Sequence, residues 1–311
     1  MSSFTRACLV VCGCLALSAG VPSAPAASTF YVGNSLTIDA SPTRIDALND
    51  TIGTGGAFDW HIKCGSGLDS IYTTPEEVCL GSMYGYGKWN QALPNNEWDR
   101  VSLEPFYDSL DATTGAPARV RQFIAASQSA GKNAKTDYFI YSAWPSTAGI
   151  DYADTWTKPY DANDINTMMT RDSTRQIMAS LRSEPALAGR TFLVPVGEVY
   201  FALDAKMRRG EIPGFSSAAD LYRDAFHANA AGSYAAALTM YATMNRVSPV
   251  GMALPAAYGD SGLSEQTRLI FQQTVWDVVR TSEFTGVPEP TLLSAAGVLG
   301  AVLLRRVRRV A

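Results

Sequence analysis

Thr29-Phe30-Tyr31-Val32-Gly33-Asn34-Ser35-Leu36-Thr37 decides how this chain is read. Its first four residues are aromatic or β-branched, the make-up of a strand. Gly33 and Asn34 turn the chain at the strand's end, and Ser35 stands at the exit. Working outward, four more short apolar runs follow, at 58–63, 100–104, 137–143 and 191–196. Helical patterns separate them. Ser41 to Ile52 spaces Ile45, Leu48 and Ile52 by three and four residues, behind a capping serine and a proline at the first helical position. Further helices are predicted over 116–131, 162–181, 198–209, 228–244 and 264–284, with Ile165, Met168, Met169 and Ile177 on one face of the second. The stretches 75–96 and 146–159 read as loops. Tyr84, Tyr86 and Trp89 in the first are either a sugar-binding rim or packing residues.

Strands alternating with helices predict an α/β protein, a three-layer α/β/α sandwich on a five-stranded parallel sheet. Right-handed crossovers bring all strand ends to one edge, and ligands bind beyond that edge. Ser35, Gly65, Glu104 and Trp144 each follow one of the first four strands, so they are expected to converge. One domain, 27–286, accounts for the pattern, with no internal repeat.

Composition sets the class. With 47% hydrophobic and 17% charged residues, the 311-residue chain is ordinary for a single core. A formal charge of −4 argues against a nucleic-acid partner, which needs a basic face. Residues 1–26 read as a signal peptide: Arg6, the apolar run Ala7 to Ala19, and a small-residue cleavage site at Ala24-Pro25-Ala26. Cys64 and Cys79 are the cysteines that survive its removal. An even pair in an exported chain favours a disulfide, with two buried thiols as the other reading. His61 and His227 are the only histidines, so neither a metal site nor a cofactor is expected.

A serine hydroxyl is a poor nucleophile until a base takes its proton. His227 can be that base if its other ring nitrogen is held in one tautomer. Asp224, three residues earlier in Asp224-Ala225-Phe226-His227, is placed to hold it. The competing reading makes Asp224 the cap of a helix beginning near Ala228.

Gly33-Asn34-Ser35-Leu36-Thr37, together with Asp224-Ala225-Phe226-His227-Ala228-Asn229 and the following Gly232 and Tyr234, resembles the SGNH/GDSL hydrolase family. The similarity runs from about Thr29 to Val250, with Asn34 where the family more often has aspartate. The resemblance implies a flavodoxin-like sheet and a serine esterase in which Ser35, His227 and Asp224 form the triad. It implies an oxyanion hole made by the N–H groups of Ser35 and Gly65 (Gly67 as alternate) and by an asparagine side chain. Here Val101-Ser102-Leu103-Glu104 stands where that asparagine belongs, and an ionised Glu104 cannot donate. Loss of one donor costs roughly 10²–10³ in rate, so either another group such as Asn34 or Trp144 substitutes or the enzyme is a weak one. The alternative is a non-catalytic carbohydrate-binding or matrix protein that retains the fold.

Val287-Pro288-Glu289-Pro290, the apolar run Thr291 to Leu304 and Arg305-Arg306-Val307-Arg308-Arg309 resemble a PEP-CTERM sorting tail, 287–311. The resemblance implies a Gram-negative source and transient anchoring by a transmembrane helix. It also implies removal of the tail by an exosortase-type enzyme and release to the cell surface or matrix. An acylated, possibly acetylated, extracellular polysaccharide is then the expected substrate.

Overall fold

The structure, a computed structural model, describes residues 26–147 and 151–288. Its centre is β1 (Thr29–Gly33), buried at every residue. Parallel partners lie on both sides: β2 (Phe58–Ile62) on one, and β3 (Arg100–Leu103), β4 (Asp137–Ser142) and β5 (Thr191–Pro195) in turn on the other. The order β2-β1-β3-β4-β5 is the flavodoxin-like one, and its topological switch point falls between β1 and β3. Register matches Gly33 with Ile62 and Val32 with Leu103. The residues that leave β1, β2 and β3 therefore start from one level.

Both sheet faces are covered, so the strands are buried almost throughout, and even the polar members Asp59 and His61 of β2 and Ser102 of β3 are enclosed. Tyr31, Phe58, Trp60, Ile62, Phe139, Tyr141, Phe192 and Val194 face one core. Phe30, Val32, Val101, Leu103, Tyr138, Ile140 and Leu193 face the other. In chain order the helices are α1 (Ser35–Ala40), α2 (Pro42–Asp50), α3 (Leu68–Thr73), α4 (Trp89–Asn95), α5 (Ala116–Gln128), α6 (Tyr152–Trp156), α7 (Arg171–Arg182), α8 (Pro185–Ala188), α9 (Val196–Arg208), α10 (Ala230–Asn245) and α11 (Glu265–Thr281). Helices α1, α2, α9, α10 and α11 close the first core. Helices α3, α4, α5 and α7 close the second. Helix α10 is buried from Ala231 to Met244 without a break. That explains its alanine-rich, all-round apolar sequence.

The strands fall within a residue or so of their predicted places; two helical readings and two loop readings need correction. The chain enters α1 directly from β1, and the helix expected from Ser41 starts at Pro42. Ser41 does not cap it: its φ of 58° marks a break between two helices, and its side chain makes no capping bond. The helix expected over 162–181 begins at Arg171, where the Thr170 side chain caps it. Upstream, the Asp161 and Asp164 side chains draw the N–H groups of Asn163 and Asn166 into local turns, and Ile165 is exposed. Finally, 75–96 contains α4, and 146–159 contains α6. No helix among the described residues is long and apolar enough to cross a membrane. The signal-peptide reading and the apolar and arginine-rich parts of the tail lie outside the described residues.

Candidate active site

Ser35 is the first residue of α1, where a strand becomes a helix in a single turn. A helix start leaves its first N–H groups without intrahelical partners. Here they are satisfied by side chains. The Asn34 side chain accepts from Leu36 N at 2.8 Å. Glu104 Oε2 accepts from Asn34 N and Thr37 N, each at 3.0 Å, and from the Thr37 hydroxyl at 2.5 Å. Of the N–H groups at 34–37, that of Ser35 is the one without a partner among the described residues.

Glu104 can come this close because residue 33 is glycine: a Cβ there would lie 2.2 Å from Thr37 Oγ1 and 2.4 Å from Glu104 Oε2. Glu104 is wholly buried and its Oε1 has no partner. Burial pushes its carboxyl up to about 8, against the lowering by the Thr37 hydroxyl and the Asn34 and Thr37 N–H groups. Glu104, where the resemblance led an asparagine donor to be expected, is thus a buried brace beneath the turn that carries Ser35.

The histidine comes from the loop between α9 and α10. Tyr222 and Ala228 pair as an antiparallel bridge, and residues 223–227 turn back between them. Asp224 Oδ1 accepts from the N–H groups of Phe226 and His227, both at 2.8 Å. Its carboxylate also meets the ring, with Oδ2 2.9 Å from His227 Nδ1. The N–H groups of His227 and then Phe226 hold the Asp224 carboxyl well below its usual range. An ionised carboxylate only accepts, so the Nδ1 facing it carries the proton. His227 Nε2 lies 3.0 Å from Ser35 Oγ. The structure therefore brings Ser35, His227 and Asp224 into one hydrogen-bonded line. Asp224 does not cap α10; Asn229 does, accepting from Ala231 N and Gly232 N. The line opens to solvent, with the side chains of His227 31% and Asp224 49% exposed.

The remaining expected residues separate. Gly65 lies in the loop after β2, at a φ of 66° that suits glycine. That loop is tied to the nucleophile turn by Lys63 N donating to Gly33 O and by Asn34 Nδ2 donating to Ser66 O. Cys64 N and Ser66 N have partners, whereas the N–H groups of Gly65 and Gly67 have none among the described residues. Cys64 and Cys79 form a disulfide, with Cα atoms 5.7 Å apart. Neither expected substitute donor is available. Asn34 is wholly buried, with its amide on Ser66 O. Trp144 stacks on Tyr200 at 4.8 Å and donates its indole N–H to Phe226 O at 2.7 Å. Trp144 therefore holds the histidine loop from behind. In the 75–96 stretch, Trp89 packs on Tyr72 and Phe123, and Tyr86 on Trp98; only Tyr84 stays exposed.

Two residues of this neighbourhood escaped the sequence reading. Asp39, in α1, accepts from Ala228 N and from Arg223. Its signal was its place four residues after Ser35, visible only if a helix starts at the serine.

No family model and no curated relative matches the chain. Among solved structures, a DUF4886 family protein from Bacteroides uniformis ATCC 8492 superposes with a TM-score of 0.54 at 15% identity, covering 86% of this chain and 99% of that one. An acetyl xylan esterase aligns with a TM-score of 0.41 at 14% identity, over 69% of this chain and 98% of its own. A phospholipase A1 from Streptomyces albidoflavus NA297 aligns with a TM-score of 0.35 at 12% identity, over 67% and 94%. What the chain shares with the first of these is its fold: helices on both faces of a parallel five-stranded sheet.

Proposed function

We propose that the chain is an exported serine esterase that removes short acyl groups, acetyl among them, from an extracellular carbohydrate. The line Ser35–His227–Asp224 at the carboxyl edge of the sheet carries this reading. His227 Nε2 takes the Ser35 proton as Oγ attacks the ester carbonyl. The imidazolium that forms keeps its Nδ1–H on Asp224. The oxyanion is met by the unpartnered N–H groups of Ser35 and Gly65. His227 then protonates the leaving alcohol, and water releases the acyl group from Ser35 by the same steps in reverse. The solvent-exposed histidine and aspartate suit an ester displayed on a polymer. Export, and processing by an exosortase-type enzyme, rest on the sequence of the two termini.

Two oxyanion donors where the family has three lead to a modest rate. The test is hydrolysis of p-nitrophenyl acetate together with labelling by a serine-directed phosphonate. Wild type should turn over the ester and be labelled at Ser35, while Ser35→Ala should do neither. Labelling at another serine, or full activity in Ser35→Ala, removes the reading. A wild type inert toward esters of every chain length moves the chain to the non-catalytic, carbohydrate-binding alternative.

A further inference from the structure

We propose that Asp39 is a positioning residue for the acid–base half of the site. With Arg223, it fixes the loop that carries His227 at hydrogen-bonding distance from Ser35. This inference rests on the esterase reading only for its kinetic arm.

Asp39 and Ser35 are four residues apart in α1, so they share one face of a single rigid element. From that face Asp39 reaches both sides of the histidine loop. Its Oδ2 accepts from Ala228 N at 2.9 Å, immediately after His227. Its Oδ1 accepts from Arg223 Nη1 at 2.8 Å, immediately before Asp224. Arg223 closes the frame: Nη1 also donates to Ala228 O at 2.6 Å, and the Arg223 N–H donates to His227 O at 2.9 Å. Ser233, in α10, donates its hydroxyl to Asp39 O, so the frame is anchored from the far side. The distance between nucleophile and base is thereby set by one helical turn and not by the loop itself.

Asp39 is buried, while the Arg223 side chain is half exposed. A buried carboxylate costs several kcal/mol unless it is paired and hydrogen-bonded. Burial does raise the Asp39 carboxyl, and the hydrogen bonds from Arg223 and Ala228 N–H oppose it. The titratable groups that act on Asp39 are Arg223 and His227, and Asp39 in turn helps keep the proton on Glu104 beneath the turn. Asp39→Asn keeps an acceptor for Ala228 N–H but turns an amide N–H toward Arg223, so the frame opens on one side. A misplacement of about 1 Å at a reacting group costs on the order of a hundredfold.

The experiment uses Asp39→Asn, Arg223→Gln and the double variant of the mature protein. The first readout is p-nitrophenyl acetate hydrolysis per phosphonate-titrated Ser35. In Asp39→Asn, kcat should fall about tenfold to a hundredfold with KM nearly unchanged. In Arg223→Gln it should fall less, and the double variant should be no worse than Asp39→Asn, because both residues act through one frame. The second readout needs no activity. The chain has two histidines, so nitrogen-15 histidine labelling yields two imidazoles. The His227 Nδ1–H resonance should broaden or vanish in Asp39→Asn, while the imidazole nitrogen resonances of buried His61, whose Nδ1 accepts from Trp89 N, stay and certify the fold. A wild-type kcat and His227 resonance in Asp39→Asn overturn the proposal. If the His61 resonances are also lost, Arg223→Gln decides, and an unchanged His227 resonance there overturns it. An inert wild type whose His227 resonance still depends on Asp39 removes the esterase reading and supports the frame.

Discussion

The turn that carries Ser35 and the loop that carries His227 meet at one hydrogen bond, yet they are held in different ways. The turn is continuous with a central, fully buried strand. Its N–H groups are taken by two buried side chains, Asn34 and Glu104, and the neighbouring loop is stapled by a disulfide. The histidine loop is exposed and belongs to no strand. Its backbone is held from outside: Phe226 O by Trp144, Ala225 O by Ser146 and Thr147, and Ala228 N by Asp39. The difference is in where the holding groups come from: the serine is placed by its own strand and the residues next to it, the histidine by contacts from elements distant in the chain.

Removing the two sides one at a time gives the largest expected effect. Ser35→Ala and His227→Ala should each lower kcat on p-nitrophenyl acetate by about 10⁴-fold or more, and the double variant should be scarcely worse. Additive losses in steady-state assays would mean that the two regions do not act as a unit. Cutting the staple comes next. Cys64→Ser with Cys79→Ser should destabilise the fold by about 3 kcal/mol in urea titrations, in keeping with a 15-residue separation. Unchanged stability would show that the serine side does not depend on it.

Glu104 sharpens the comparison through pH. Its folded value of about 8 lies above the ordinary carboxyl value of 4.5. The folded state therefore keeps a proton that the unfolded chain has released. The associated stability is complete below about pH 4.5 and is lost as pH rises through about 8. Wild type should weaken relative to Glu104→Gln across that window, read as urea midpoints at pH 5 and pH 8. Parallel midpoints would contradict a retained proton. The smallest effect belongs to the histidine side. Trp144→Phe removes one indole hydrogen bond while leaving the ring on Tyr200. The cost should be about 1 kcal/mol, or a several-fold loss of kcat, and a change in KM alone would place Trp144 against the substrate instead.

The same contrast explains what the sequence made legible. Strands buried on both faces are short segments rich in apolar and aromatic residues, so all five, and the serine at the first strand's exit, can be read from the sequence. Helices lying on one core also announce themselves by period. Short helices do not: α1 spans six residues and α4 contains Pro94, so neither shows a period, and Asp39 stayed hidden with α1. The spacing of Ile165, Met168, Met169 and Ile177 led the reading of α7 upstream, through residues that the Asp161 and Asp164 side chains hold in turns. Glu104 was visible as a departure from the family, but its role was not. Only the space left by Gly33 shows it as a brace.

The Ser35–His227 bond joins residues 192 positions apart. A chain that emerges amino end first presents its serine early and its base only after every strand of the sheet has passed. Until residue 227 arrives, the turn can form but has nothing to deprotonate it. On the proposed reading, hydrolytic competence is timed to the completion of the domain, and a polypeptide halted partway through synthesis carries the serine without its base.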